Sequence, residues 1–226
     1  MSTKEILRVK GDIKATYAKL SKIYAILEER FEKKLREKGL ELLDVQKGEV
    51  VLEIGFGTGC SLVEIAKSVG ETGKAYGIDL TPEMVKLSKK RLEKEGLEER
   101  AELQEGNARK MSYRDNMFDA VYMASTLELF DTPDIAKVLR EIKRVLKPTG
   151  RLGVVSIAKE GHEDSKILKF YEWLHQKIPK YASCRPIYVE DSIKDTGYKI
   201  IKTEEMMIAK LFPMKIVMAK LFWKEK

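Results

Sequence analysis

Between residues 50 and 158 the sequence alternates between short apolar runs, typical of buried strands, and segments with helical periodicity. The predicted strands cover 50–54, 74–80, 101–108, 118–125 and 152–158. Such alternation predicts a mostly parallel sheet with helices on both faces. Two further strand-like runs, 198–208 and 215–222, have no helix between them and predict an antiparallel hairpin. The expected fold is therefore an α/β, Rossmann-like, doubly wound mixed sheet of seven strands.

The first 47 residues form a separate region, with apolar residues at helical spacing among charges. They predict an N-terminal helical cover over 1–47, with 48–226 as the second domain. Glycines at 39 and 48 are expected to punctuate the end of this cover. Further helices are predicted over 62–69, from Thr81 towards Gly96, over 131–146, closed by Pro148 and Gly150, and over 165–178 and 189–196.

Composition excludes several functional classes. The 226 residues include two cysteines, Cys60 and Cys184, and two histidines, which rules out a disulfide scaffold and a Cys/His zinc pattern, so no metal is expected. No signal peptide or membrane-length apolar run is visible, and a cytoplasmic location is expected. The formal charge of +7 fits either an anionic partner or an ordinary Lys- and Glu-rich surface.

The segment 53–59, Glu-Ile-Gly-Phe-Gly-Thr-Gly, follows the first strand and opens a helix. Glycines there allow a tight turn and close approach of a ligand to the backbone. Asp79 ends the second strand, where an acid can accept both hydroxyls of a ribose. The third glycine comes one residue too early for a dinucleotide fingerprint, and Glu53 would repel a pyrophosphate but suits an ammonium group. The spacing therefore favours S-adenosylmethionine over a dinucleotide.

With these motifs, residues 15–220 resemble the class I S-adenosylmethionine-dependent methyltransferases, in the branch of ubiquinone/menaquinone C-methyltransferases and bacterial phospholipid N-methyltransferases. Besides 53–59, the matching segments are 77–80, 106–108, 118–127 and 146–152. The resemblance implies cofactor contacts from Tyr17, Glu53, Gly55, Gly57, Gly59, Asp79, Leu80, Met84, Asn107, Ala108, Ala124 and Ser125. Asn107 stands where family members often have Asp, and a simple turn residue is its alternative. Met84 has the alternative of core packing.

Methyl transfer from a sulfonium mainly requires alignment and desolvation, and a general base is needed only for some acceptors. The sequence does not identify a general base. The candidates for this role are Tyr24, Glu128 and His162. Tyr24, Glu128 and Arg185 are candidates for acceptor binding; Arg185 suits a phosphate or carboxylate. Each candidate also has a structural interpretation without a role in catalysis or acceptor binding. Tyr24 could pack against Tyr17, Glu128 could be solvated, His162 could be a surface residue, and Arg185 could fix a loop.

The absence of two motifs restricts the class of molecule that accepts the methyl group. No Asn/Asp-Pro-Pro-aromatic run follows the fourth strand, and neither cysteine follows a proline, which argues against a nucleic-acid partner. A small hydrophobic or amphiphilic acceptor is expected, either a quinone precursor or a phospholipid head group. The aromatic residues Phe170, Tyr171 and Trp173 suggest a lid or contact with a membrane surface. The alternatives are an RNA or protein methyltransferase, or a cofactor-binding regulatory module without catalysis.

Overall fold

A computed structural model describes residues 33–177, 184–208 and 211–222. The helices are α1 (Lys33–Leu43), α2 (Cys60–Val69), α3 (Pro82–Lys94), α4 (Thr132–Val145), α5 (Lys166–Lys177) and α6 (Val189–Asp195), with short 3-10 turns at Glu98–Arg100 and Leu127–Leu129. The strands are β1 (Val50–Ile54), β2 (Lys74–Asp79), β3 (Ala101–Glu105), β4 (Phe118–Ala124), β5 (Leu146–Ile157), β6 (Tyr198–Ile208) and β7 (Phe212–Leu221).

All seven strands form one sheet in the order β3-β2-β1-β4-β5-β7-β6, which confirms the predicted fold class. The first five strands pair in parallel, whereas β7 pairs antiparallel with both β5 and β6. The chain leaves β1 towards β2 and β3 and then returns to the other side of β1 with β4. In open α/β sheets, ligands bind at such a reversal, beyond the carboxyl ends of the strands.

A hydrophobic core covers each face of the sheet. On one face α4 buries Ile135, Val138, Leu139, Ile142 and Val145, the stripe that its sequence periodicity predicts. On the other face α1, α2 and α3 contribute Leu35, Leu62 and Met84 to the second core. Helices on both faces explain why the parallel strands read as continuous apolar runs.

The start of β5 differs from the prediction. Pro148 and Gly150 were expected to form a turn after the helix, with a strand from 152, but β5 already begins at Leu146. Its pairing with β4 shifts register between Phe118 and Ala120, so this bulged segment accommodates both residues. Bulges let a strand bend without leaving the sheet, and apolar periodicity alone does not reveal them.

Gly39 was expected to mark the end of the N-terminal helical region. It instead lies buried inside α1. A Cβ at this position would stand 2.3 Å from the hydroxyl oxygen of Tyr122 on β4. The glycine therefore allows α1 to lie close against the sheet. Arg151 holds the end of this helix: its guanidinium donates to Glu49 at 2.7 Å twice, and to the carbonyls of Leu43 and Asp44.

The C-terminal hairpin is confirmed, and β7 is an inner strand between β5 and β6. It begins at Phe212, three residues before the predicted 215, because Pro213 is accommodated within it: its carbonyl accepts a hydrogen bond from Ala158 N at 2.9 Å. In the part of the chain that the structure describes, no helix combines the length and apolarity needed to cross a membrane. The predicted cover over residues 1–47 is described only from residue 33 onwards.

Candidate functional site

The turn after β1 depends on left-handed backbone at its glycines. Gly55, Gly57 and Gly59 have φ of 69°, 52° and 83°. Gly55 N donates to the carbonyl of Ile78 on β2 at 2.8 Å, and Gly59 N donates to the carbonyl of Phe56 at 2.8 Å. Residues with a Cβ adopt this conformation at a cost, so the glycines predicted from sequence are required by the geometry of the turn.

Two of these glycines also allow neighbouring elements to come close. A Cβ on Gly55 would stand 2.4 Å from Cγ2 of Thr126, which follows β4. A Cβ on Gly59 would stand 2.0 Å from Oγ of Ser88 on α3. The turn is therefore packed tightly between the end of β4 and α3.

Asp79 joins this turn to the end of β2. Its Oδ2 accepts a hydrogen bond from Gly57 N at 3.1 Å, and its Oδ1 accepts one from Thr81 N at 2.9 Å. Burial raises the pKa of Asp79, and the hydrogen bonds from Thr81 and Gly57 oppose that rise. Each carboxylate oxygen has a second acceptor position, so the acid can hold the turn and still accept a hydroxyl. The predicted contact Leu80 follows directly and is 45% exposed.

A cleft of about 340 Å³ opens beside the turn, at the carboxyl ends of β1 and β4. Four predicted cofactor residues meet in its lining: Glu53, Gly55, Ala124 and Ser125. Sequence reasoning missed the remaining lining residues, which are Leu35, Arg36, Phe56, Ser61 and Val155. The helical periodicity of 33–43 was the available signal for Leu35; nothing local in the sequence indicated that α1 forms a wall of this cleft.

Glu53 is 2% exposed at the floor of the cleft. A buried carboxylate favours a cationic group nearby, because an opposite charge offsets its desolvation. The glycine turn brings backbone close to the same space, and Asp79 accepts a hydrogen bond from the same turn through Gly57 N. These residues fit a ligand that carries an ammonium group at one end and neighbouring hydroxyls further along.

The third matching segment is placed differently from the first two. Asn107 Oδ1 accepts hydrogen bonds from Arg109 N at 3.0 Å and Arg109 Nε at 3.1 Å, the geometry of its turn-residue alternative. Ala108 is buried in the first core and Met84 in the second. Their cofactor contacts remain predictions, and the segment reaches the site through Gly106 N, which donates to the carbonyl of Asp79 at 2.8 Å.

Glu128 and Arg185 are both buried, at 0% and 4% exposure, on the side of β4 away from Asp79. Arg185 Nη2 donates to the carbonyl of Phe130 at 2.9 Å and to Thr132 Oγ1 at 3.1 Å, so it fixes the loop after β4. Burial lowers the pKa of Arg185, while the charges of Asp131 and Glu128 raise it. The charge of Glu128 therefore acts on Arg185, after the larger contribution of Asp131.

Tyr171 on α5 adds an aromatic wall to this cluster. Its ring packs edge-on against Phe212 with centroids 5.1 Å apart. Burial raises the pKa of Tyr171, and the charges of Cys184 and Glu128 raise it further. Its hydroxyl is therefore neutral and able to donate at physiological pH. We call Glu128, Tyr171 and Arg185 the acceptor cluster.

The other candidates are placed as follows. His162 Nε2 lies 2.9 Å from Glu205 Oε1 on β6, in a half-exposed pair that does not line the cleft. Tyr17 and Tyr24 lie outside the described residues. Within the described ranges, no three His, Cys, Asp or Glu side chains are grouped in a way that suits a metal ion.

Comparison with known proteins identifies a methyltransferase domain model over residues 51–150. The chain is 31% identical to demethylmenaquinone methyltransferase of Lactobacillus johnsonii over 69% of this chain and 62% of that protein. It is 26% identical to the enzyme of the same name from Bacillus licheniformis over 84% of this chain and 90% of that protein. The chain thus spans just under two thirds of the first relative and nine tenths of the second.

Among solved structures, a SAM-dependent methyltransferase from Aquifex aeolicus matches with a TM-score of 0.64 and 27% identity. The match covers 92% of this chain and 99% of that one. The similarity therefore extends over nearly the whole chain.

Proposed function

We propose that this chain, which belongs to the class I S-adenosylmethionine-dependent methyltransferases, methylates a ring carbon of a small quinol-type acceptor. S-adenosylmethionine is its cofactor and, when bound, supplies a methyl group activated by a positively charged sulfur. Support for the acceptor class comes from the relatives named demethylmenaquinone methyltransferase and from the hydrogen-bonding groups and buried charges of the acceptor cluster.

The cofactor side of the cleft fits this donor. We infer that the carboxylate of Glu53 binds the ammonium of its methionine part and that Asp79 accepts the ribose hydroxyls. The backbone at Gly55 and Gly57 lies between these two acids and lets the ligand pass close to the chain. This arrangement fixes the donor by its two ends, which aligns the methyl group for an in-line displacement.

The acceptor side carries the observation on which the choice of acceptor rests. Glu128 is fully buried, and its charge acts together with that of Asp131 on the buried guanidinium of Arg185. A carboxylate whose charge already acts on a buried cation is less suited to a cationic amine, whereas a neutral ring with hydroxyl groups needs hydrogen-bonding partners. Glu128 supplies an acceptor and Tyr171 a donor, beside the apolar ring of Phe212.

Methylation of a ring carbon requires the neighbouring ring hydroxyl to lose or share its proton. We infer that Glu128 accepts this proton and so raises the electron density of the ring. The carbon–methyl bond would form as the sulfur–methyl bond breaks, and loss of the proton from that ring carbon, with return of one to the ring oxygen, would restore the aromatic ring. Closure of the site by buried side chains excludes water and strengthens this interaction. Glu128→Gln removes the charge, and we expect turnover to fall by about 10²–10³-fold with little change in donor affinity.

The experiment that tests the proposal measures methyl transfer from labelled S-adenosylmethionine by the purified chain. Four acceptors are offered separately: a short-chain naphthoquinol, phosphatidylethanolamine vesicles, ribosomal RNA and a protein extract. We expect label in the naphthoquinol alone, with mass spectrometry placing the methyl group on a ring carbon. Asp79→Ala is the inactive control, and Asp164→Ala, which removes a fully exposed acid, is its matched active control.

Label on the phospholipid amine, on RNA or on protein would contradict the quinol assignment and identify the alternative acceptor. Binding of the donor without transfer to any of the four would support the non-catalytic module. A methyl group on a ring oxygen would retain the acceptor class but contradict the role given to Glu128.

A further inference from the structure

Helix α5 presents an apolar stripe to the outside of the molecule. Phe170 and Trp173 are 61% and 50% exposed, and their rings stack with centroids 5.8 Å apart. Ile167, 39% exposed, precedes them by one turn on the same face. Large apolar side chains exposed as a contiguous patch mark an interaction surface more often than do single exposed residues.

The opposite face of the same helix belongs to the acceptor side of the site. Leu168 and His175 are buried, and Tyr171 packs on Phe212. Glu172 also turns inward, where its carboxylate binds Lys159 Nζ at 2.6 Å. Helix α5 therefore separates the acceptor cluster from solvent. One of its faces carries buried residues and the other carries exposed ones.

The stripe continues onto the turn between β6 and β7. Leu211 and Met207 are 45% and 50% exposed there, and the following Phe212 contacts Tyr171 of α5. Five exposed apolar residues thus lie on α5 and at the adjoining ends of β6 and β7, which the contact of Tyr171 with Phe212 holds together. We call this set, Ile167, Phe170, Trp173, Met207 and Leu211, the apolar edge.

Positive charge borders the apolar edge. Lys166, Lys169 and Lys177 are exposed on α5, and the exposed acids before the helix are Glu163 and Asp164, of which Asp164 pairs with Lys169 at 3.2 Å. Because Glu172 points inward, lysines dominate the outer surface of the helix. Aromatic residues flanked by lysines on one helix face suit the boundary between acyl chains and anionic head groups.

We propose that the apolar edge is a docking surface for an anionic lipid bilayer. The docking would place the acceptor cluster, on the inner side of α5, directly above the membrane surface. Its use in catalysis rests on the proposed function, since an acceptor with a lipid tail is then reached from the bilayer. The surface itself rests only on the exposure and charge of α5 and the adjacent turn.

The test measures binding of the full chain to vesicles of phosphatidylglycerol or of phosphatidylcholine by co-sedimentation. We expect binding to the anionic vesicles only. Phe170→Ser with Trp173→Ser should weaken it about tenfold or more, and Lys166→Gln with Lys177→Gln about twentyfold. In Trp223→Phe protein, Trp173 is the single tryptophan, and its emission should shift to shorter wavelength on binding.

The matched control removes two equally exposed apolar residues from the other end of the hairpin, Ile201 and Phe222 (50% and 56% exposed). Ile201→Ser with Phe222→Ser should bind vesicles like the unaltered chain. Equal loss of binding in this control, unchanged binding after removal of Phe170 and Trp173, or preference for neutral vesicles would overturn the proposal. Donor affinity, measured by calorimetry, shows that each variant is folded.

A second readout separates this proposal from the proposed function. Methylation of the short-chain naphthoquinol in solution should be equal in the unaltered chain and in the variant lacking Phe170 and Trp173. Vesicle binding without any quinol methylation would refute the function and leave the docking surface standing. Quinol methylation without vesicle binding would refute the docking surface alone.

Discussion

Substitution of Gly55 by alanine tests whether the turn after β1 is as constrained as its geometry implies. The residue has φ of 69°, which costs a residue with a Cβ about 1–2 kcal/mol. The added methyl group would also stand 2.4 Å from Cγ2 and 2.5 Å from Oγ1 of Thr126. Thr126 is buried and its hydroxyl bonds the carbonyl of Ala124 at 2.8 Å, so it cannot turn away without losing that bond.

Overpacking of this kind typically costs about 1–3 kcal/mol. With the backbone cost included, Gly55→Ala should lower the free energy of unfolding by about 2–5 kcal/mol. It should also weaken donor binding strongly, because the turn and the end of β4 both line the cleft. Urea unfolding measures the first effect and titration calorimetry with S-adenosylhomocysteine the second.

Gly161 provides the matched control, since it has φ of 82° but a Cβ there would meet nothing within 4 Å. Gly161→Ala should therefore cost only about 1–2 kcal/mol and leave donor affinity unchanged. Combining Gly55→Ala with Thr126→Ala removes the two nearest atoms and should restore part of the lost stability. Equal stability of the two single variants, with normal donor affinity in Gly55→Ala, would refute the packing argument.

Three further predictions concern charged groups. Because donor hydroxyls bond to an ionised Asp79 whose pKa is raised by burial, donor affinity should fall as the pH is lowered towards that pKa, and calorimetry should find this pH dependence absent in Asp79→Asn. Arg185→Gln removes a buried guanidinium that donates to the carbonyl of Phe130 and to Thr132, and should cost about 2–4 kcal/mol of stability by urea unfolding. A double-mutant cycle with Glu128→Gln should show coupling, because the charge of Glu128 acts on Arg185, and additive effects would show the two groups to be independent. Arg151→Gln removes both bonds to Glu49 and should lower the free energy of unfolding, measured in urea, by about 2–4 kcal/mol. The control Lys147→Gln breaks the more exposed pair with Asp119 and should cost about 1 kcal/mol or less.

The residues proposed to bind the cofactor could be placed together from the sequence because they belong to neighbouring segments of the chain. Glu53, the glycine turn and Asp79 all belong to one strand-turn-helix-strand unit, in which the hydrogen-bonding pattern of parallel strands fixes their relative positions. Glycine spacing carries information about backbone conformation, and the three positive φ angles are what that spacing requires. The parallel sheet of the first five strands and the C-terminal hairpin followed from apolar patterning, whereas the order of the strands within the sheet was not predicted.

The acceptor side was predicted less completely because its residues come from distant elements. Glu128 follows β4, Tyr171 lies on α5, Arg185 precedes α6 and Phe212 begins β7. Their proximity depends on how α5 and the hairpin pack against the sheet, which no local pattern encodes. Arg36 of the cleft wall was missed for the same reason: its helix is held in place by Gly39 and Arg151, whose contacts are tertiary.

Asp79 shows why one short segment determines so much of the molecule. One oxygen of its carboxylate fixes the glycine turn through Gly57 N, and the other fixes the start of α3 through Thr81 N. The same two oxygens retain the lone pairs that a ribose diol needs. The shape of the turn therefore depends on one buried carboxylate, to which we also assign donor recognition, and burial of that carboxylate raises its pKa. A chain that kept the three glycines but lost Asp79 would lose the bonds that shape the turn, so the glycines and the acid are informative only as a pair.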